Sequence, residues 1–144
     1  GEDYKEYLLE SAGMLNAKDE VIFTGRREDI PDILQQIDIF VMPSVLEVCS
    51  MAILEAMAMG KPVVGLMAGG NPELVTGETG ILVGPKDAEG FADAILNLLA
   101  NAERRRSLGE LARKRIEEFF TVKRNVEMMQ GAIIECSFRS CGAK

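Results

Sequence analysis

PSVLEVCSMAILEAMAMGKPVVG, residues 43–65, decides how the rest of the chain is read. Met51 to Met59 is rich in helix formers, and Gly60 marks its end. Pro62-Val63-Val64-Gly65-Leu66 follows as a compact apolar run, and Ile37 to Met42 precedes the stretch as another, stopped by Pro43-Ser44. Apolar runs without alternation are what strands buried on both faces show. Every position from Met51 to Met59 is apolar except Glu55. Either the helix is buried all round and this carboxylate needs several donors, such as the paired hydroxyls of a ribose, or Glu55 marks the helix's one solvent stripe. Glu47 stands in the loop above the end of the preceding strand.

Outward from this stretch, helices and strands keep alternating. Tyr4, Leu8, Ala12 and Leu15 recur at helical spacing, and Val21 to Thr24 reads as a short strand closed by Gly25. Ile30 to Gln36 suggests a short helix. Downstream, Gly80 to Val83 makes a further strand, and Asp87 caps a helix with Phe91, Ile95 and Leu99 on one face. Leu108, Leu111, Ala112 and Phe119 mark the next helix, and Thr121 caps the last, with Val122, Val126, Met129 and Ile133 inward. Such alternation with short connections predicts an α/β fold, a Rossmann-like parallel sheet with helices on both faces. Ligands of such sheets sit at the carboxyl ends of the strands, so the loops of interest are Gly25 to Asp29, Pro43 to Ser50, Met67 to Glu73 and Gly84 to Lys86.

Length and charge narrow the function. The 144 residues, 47% hydrophobic and 27% charged, suit one globular domain, residues 1–144, with 121–144 as a C-terminal helix and tail. Sixteen Lys and Arg against 23 Asp and Glu give a net charge of −7, the wrong sign for binding nucleic acid. No apolar run approaches the roughly 20 residues of a membrane span, and GEDYKEY lacks the pattern of a signal peptide. Cys49, Cys136 and Cys141 are scattered and odd in number, which implies no disulfide framework and suits the cytoplasm. Without a histidine there is no serine–histidine or cysteine–histidine nucleophile and no histidine-ligated metal, and no other metal motif is visible. Arg104-Arg105-Arg106 and Arg113-Lys114-Arg115 spread around their helix and read as solvated surface.

Pro43-Ser44, Glu47, Glu55-Ala56-Met57-Ala58, Gly60, Pro62-Val63-Val64, Gly69-Gly70, Glu73, Thr79-Gly80 and Leu82-Val83 resemble, in order and spacing, the group-one, glycogen-synthase-like glycosyltransferases. The resemblance runs from about Gly1 to Phe120, and its most specific part is the pair of glutamates followed by EAMA, a glycine and PVV. It implies the C-terminal, donor-binding part of a GT-B fold that moves a sugar from a nucleoside diphosphate to an acceptor hydroxyl with retention. Glu55 would hold the ribose hydroxyls, and Glu47 would face the donor sugar near the reacting carbon. The helix start at Ser50 and Met51 would hold the diphosphate on free amides, which lets an acidic domain bind an anion. Gly70 and Glu73 would lie beside the sugar, and Gly25 and Arg26 where the family meets the nucleobase.

One departure stands inside the motif. The family usually has glycine, an aromatic and glycine after the first glutamate, whereas this chain has Val48, Cys49 and Ser50, whose side chains narrow the approach of ligand to backbone. Cys49 has no adjacent base and reads as structural. The resemblance further implies an arginine and a lysine that neutralise the leaving diphosphate, upstream of Gly1-Glu2-Asp3, itself read as a loop. The two strands that open the domain would also lie upstream, leaving it N-terminally incomplete. Their place in the sheet, between Val21–Thr24 and Ile37–Met42, would be a gap that invites direct closure, strand exchange or a homo-oligomer. The expected partners are a nucleotide-sugar donor and the N-terminal acceptor domain of the parent enzyme, with no cofactor beyond the donor substrate. Two other readings stay open: a fragment of a sugar-nucleotide 2-epimerase, which shares the architecture, and a non-catalytic nucleotide-sugar-binding or interaction module.

Overall fold

The computed structural model describes residues 2–141, with side chains described for residues 4–135. Gly1 and residues 142–144 of the tail therefore lie outside the described residues, as do the side chains of Cys136 and Cys141. The chain divides into two compact units, Gly1–Ile30 and Pro31–Lys144.

The first unit holds helix α1, Glu2–Met14, and a 3-10 turn, Lys18–Glu20. Glu2 and Asp3 are thus helical, where a loop was expected. Asn16 takes a left-handed φ of 56°, and Ala17 N–H donates to the Ala12 carbonyl at 2.9 Å, which closes the helix end. The expected strand at Val21–Thr24 does not form. Val21 is extended, but a strand needs a ladder partner for its amides, and among the described residues this segment has none; Ile22 is 83% exposed. Arg27 pairs with Asp29, Nε to Oδ1 at 2.8 Å, and this hydrogen bond holds the Asp29 carboxyl below its ordinary value.

The second unit, entered at the first turn of α2, runs α2 (Ile30–Gln36), β1 (Phe40–Met42), α3 (Met51–Ala58), β2 (Val63–Leu66), α4 (Asn71–Leu74), β3 (Gly80–Val83), α5 (Ala88–Ala100), α6 (Ala102–Phe119) and α7 (Val122–Cys141). The three strands form a parallel sheet in the order β1-β2-β3, with Phe40 opposite Val63 and Val63 opposite Gly80. β2 is central and buried throughout, as its unbroken apolar run requires. β1 is shorter than the expected Ile37–Met42 because β2 offers a ladder only from Val63, and at the sheet edge its Val41 is 38% exposed.

Alternation along the strands sends side chains into two apolar layers. Val63, with Phe40, Met42 and Leu82, meets Ile53 and Met57 of α3 and Ala112 of α6. Val64, with Ile39, Ile81 and Val83, meets Ala94 and Leu98 of α5 and Leu108 of α6. α6 meets the turn after α3 at glycines: a Cβ on Gly109 would stand 2.0 Å from the Gly60 carbonyl oxygen. Asp87 caps α5 through Gly90 N–H at 2.9 Å, and Thr121 caps α7 through Arg124 N–H at 3.3 Å, both as expected.

Two outward faces correct the sequence reading, and a third decides a reading left open. Leu99 is 52% exposed because Ala94 and Leu98 take the inner face of α5. Val122, Val126, Met129 and Ile133 of α7 face out, since α3, α5 and α6 already fill both sides of the sheet. α3 is not buried all round: Ile53, Ala56 and Met57 point inward, while Met51 and Glu55 are exposed. Among the described residues no helix is long and apolar enough to cross a membrane.

Candidate functional site

The loops that leave the carboxyl ends of β1 and β2 are locked together through main chain. Gly70 N–H donates to the Glu47 carbonyl at 2.7 Å. A Cβ on Gly69 would lie 2.1 Å from the Glu47 oxygen, and one on Gly70 would lie 1.9 Å from the Val48 oxygen, so only glycine permits this approach. Glu47 and Gly70, expected from sequence to share a site, are therefore neighbours.

From Glu47 the loop enters α3. Ser50, 4% exposed, is its N-cap, and its hydroxyl accepts from Ile53 N–H at 3.4 Å. The Ser50 carbonyl takes Leu54 N–H at 3.2 Å, which leaves the Met51 and Ala52 amides without acceptors from the helix itself. The Ser50 hydroxyl is committed to the cap, so any ligand group at this helix start meets amides rather than that hydroxyl. Glu55 lies one turn further along the same exposed stripe as Met51. Of the two sequence readings of Glu55, the solvent stripe is the one observed, and it leaves the carboxylate accessible to a ligand approaching over the strand ends.

Glu73 is carried by α4, a single helical turn. At its start Asn71, fully buried, donates from Nδ2 to the Leu66 carbonyl at 3.0 Å, while its Oδ1 has no partner. At its end Arg115 donates from Nε to the Leu74 carbonyl at 2.9 Å and from Nη2 to the Glu73 carbonyl at 2.8 Å. The Arg115 guanidinium lies over the rings of Phe119 and Phe120, at 5.3 and 5.6 Å.

Neither Arg115 nor Arg105 is the solvated residue expected. Arg105 Nη1 donates to the Leu98 and Leu99 carbonyls, both at 2.7 Å, closing the end of α5. The signal for Arg115 was present in the sequence as two phenylalanines placed four and five residues after it, one helical turn away. Arg113 does stay at the surface, paired with Glu117 at 3.0 Å.

Beyond β3, Lys86 takes a left-handed φ of 71° just before the Asp87 cap. A cavity of about 260 Å³ opens over the strand ends, lined by Pro43 after β1, Leu66 of β2, and Lys86, Asp87 and Phe91 after β3. A larger one, about 430 Å³, lies along the β3 side between Thr76, Ile81 and Arg104, and neither cavity is lined by Glu47, Glu55 or Glu73. Gly25, with a left-handed φ of 64°, and the exposed Arg26 belong to the first unit, while the other candidates belong to the second. Among the described residues no three His, Cys, Asp or Glu gather as ligands of a metal would.

The second unit thus offers Glu47 and Glu73 on two loops joined through main chain, Glu55 on the exposed face of α3, a helix amino end able to donate to an anion, and Lys86 at the cavity over the strand ends. The sequence profile of the family described as "Glycosyl transferases group 1" matches residues 1–101. N-acetyl-alpha-D-glucosaminyl L-malate synthase of Bacillus anthracis is 33% identical over 124 residues, which cover 85% of this chain and 32% of that protein. Sucrose-phosphate synthase of Thermosynechococcus elongatus superposes with a TM-score of 0.83 at 29% identity, covering 96% of this chain and 35% of the other. HepE of Anabaena, solved with UDP and with UDP-glucose, superposes at 0.84 and 29% identity, over 91% of this chain and 37% of its own. The chain spans about a third of the length of these relatives.

Proposed function

Because the chain belongs to the group 1 glycosyl transferases, we propose that it is the donor-binding part of an enzyme that moves a sugar from a nucleoside diphosphate to an acceptor hydroxyl with retention. The observation that carries this reading is the main-chain lock between the Glu47 loop and Gly69-Gly70 at the strand ends. It sets one carboxylate beside the start of α3, whose amides suit a diphosphate, and one turn along that helix Glu55 is free to accept from ribose hydroxyls. Glu47 and Glu73 take the sugar side. The UDP and UDP-glucose held by HepE make a uridine nucleotide the first donor to try.

Residues 1–144 form part of one nucleotide-sugar domain, and the acceptor is held by an N-terminal domain of the parent enzyme. The sugar nucleotide is the only small molecule the reaction needs. The exposed Cys49 thiol suits a reducing cytoplasm. The open edge of β1 offers a strand-exchange or homo-oligomer contact. Transfer is preferred over epimerisation and over a purely binding role because the relatives matched are transferases and synthases by name.

Calorimetric titration of the chain with UDP and UDP-glucose tests the reading. Binding of both, weakened by Glu55→Gln, is expected; no binding of either by the folded chain overturns it.

A further inference from the structure

We propose that Arg115, on the helix behind the sheet, is the positioning residue of the donor-sugar loop: its fork on the Glu73 and Leu74 carbonyls sets where the Glu73 carboxylate and the Gly70 amide stand opposite Glu47. The inference rests on the donor reading above and adds to it a residue far from the strand ends in sequence.

A single helical turn has no cooperative stability of its own, because almost all its backbone groups are terminal. α4 is such a turn, and it carries Glu73. Its amino end is held twice, by Gly70 N–H on the Glu47 carbonyl at 2.7 Å and by Asn71 Nδ2 on the Leu66 carbonyl at 3.0 Å. Its carboxyl end is held by Arg115, whose two nitrogens reach adjacent carbonyls at 2.9 and 2.8 Å. Two parallel donors from one rigid plane fix direction as well as distance, which a lysine ammonium cannot do. The plane is itself set by Phe119 and Phe120 beneath it. The Glu73 side chain is exposed and has no hydrogen-bond partner among the described residues, so its place is decided by the backbone that Arg115 holds.

Losing the fork frees the end of α4 while leaving its start attached, so the carboxylate swings relative to Glu47 and the helix start of α3 does not move. Ligand parts held by α3 keep their affinity, and those held by α4 lose it. Arg115→Met keeps the apolar contact with the two rings and removes both donors; Arg115→Lys keeps charge and one donor.

The experiment measures amide hydrogen exchange and calorimetric affinity for UDP and UDP-glucose on the whole chain and both variants. In Arg115→Met the Glu73 and Val75 amides, which donate to the Gly70 and Asn71 carbonyls, should exchange about tenfold faster or more, the loss expected for charged hydrogen bonds, with α3 and α5 unchanged. UDP-glucose affinity should fall by about tenfold while that for UDP holds, and Arg115→Lys should restore part of each. Faster exchange throughout α3, α5 and α6, with both ligands weakened equally, would overturn the proposal by reducing Arg115 to a fold-holding residue. So would a variant indistinguishable from the parent chain. Glu73→Gln separates this from the donor reading: if it leaves UDP-glucose affinity unaltered, the sugar-side role of α4 falls, and the exchange measurement alone decides the tether.

Discussion

Glu47 and Glu55 sit in different physical settings, a half-buried loop and an exposed helix stripe, and so their substitutions separate. Glu55→Gln should weaken UDP binding by about 1–3 kcal/mol, the range for losing a charged partner of a hydrogen bond. Glu47→Gln should leave UDP untouched and weaken UDP-glucose, because its carboxylate is assigned to the sugar. Calorimetry on the two variants checks both, and a UDP affinity that falls with Glu47 rather than Glu55 would reverse the assignment. The glycines beneath them give a second prediction at this scale. Gly70 has an ordinary φ of −84°, so alanine would be strained by contact rather than by conformation, with its Cβ 1.9 Å from the Val48 oxygen. Gly70→Ala should cost about 1–3 kcal/mol in urea unfolding, as overpacked sites do. Gly77, with open space around a Cβ, serves as the neutral control.

Helix ends show how much of each element its local sequence can specify. Asn101 closes α5 and opens α6: its Oδ1 accepts Arg104 N–H at 2.9 Å and its carbonyl takes Arg105 N–H at 3.0 Å. Asn101→Ala should therefore cost about 1 kcal/mol, read as a lower urea midpoint with an unchanged slope. Caps are rules of neighbouring residues, which is why Asp87 and Thr121 could be placed from sequence. Val21–Thr24 had the composition of a strand, but a strand exists only through a partner, and composition does not name one. The outward apolar face of α7 failed for a related reason: periodicity reports that a helix has two sides, and the depth of the surrounding layers decides whether one is covered. That Glu47 and Gly70 stand together at the strand ends was legible from the resemblance. The tether from Arg115 was not, because its carbonyl partners stand 41 and 42 residues away and carry no side-chain signature.

For the molecule as a whole, a net charge of −7 means that an anionic ligand is held only by local groups, and what the chain holds sets what it can catalyse. Among the described residues the sheet ends at β1, whose Val41 is exposed along an edge with no strand beside it, so association through that edge is expected. Light scattering should give a mass above the 15.7 kDa of one chain and should return to it in Val41→Lys. Turnover is a different matter. Departure of a nucleoside diphosphate needs positive groups aimed at the leaving oxygen, and one such group is commonly worth a factor of about a hundred or more. The second unit offers the amides at the start of α3 and, at the cavity over the strand ends, Lys86 beside Asp87. An acceptor must also be held in line, which is worth several further powers of ten, and this chain spans about a third of its relatives. We therefore expect the chain to bind UDP-glucose and to release UDP no faster than solution does. Adding an acceptor alcohol should change nothing, because no group assigned above holds it. A coupled assay for UDP release, run with the chain, with Glu47→Gln and with buffer, decides the matter. Release above buffer that disappears in Glu47→Gln would mean that helix amides and a single lysine stabilise the leaving group well enough without further charge.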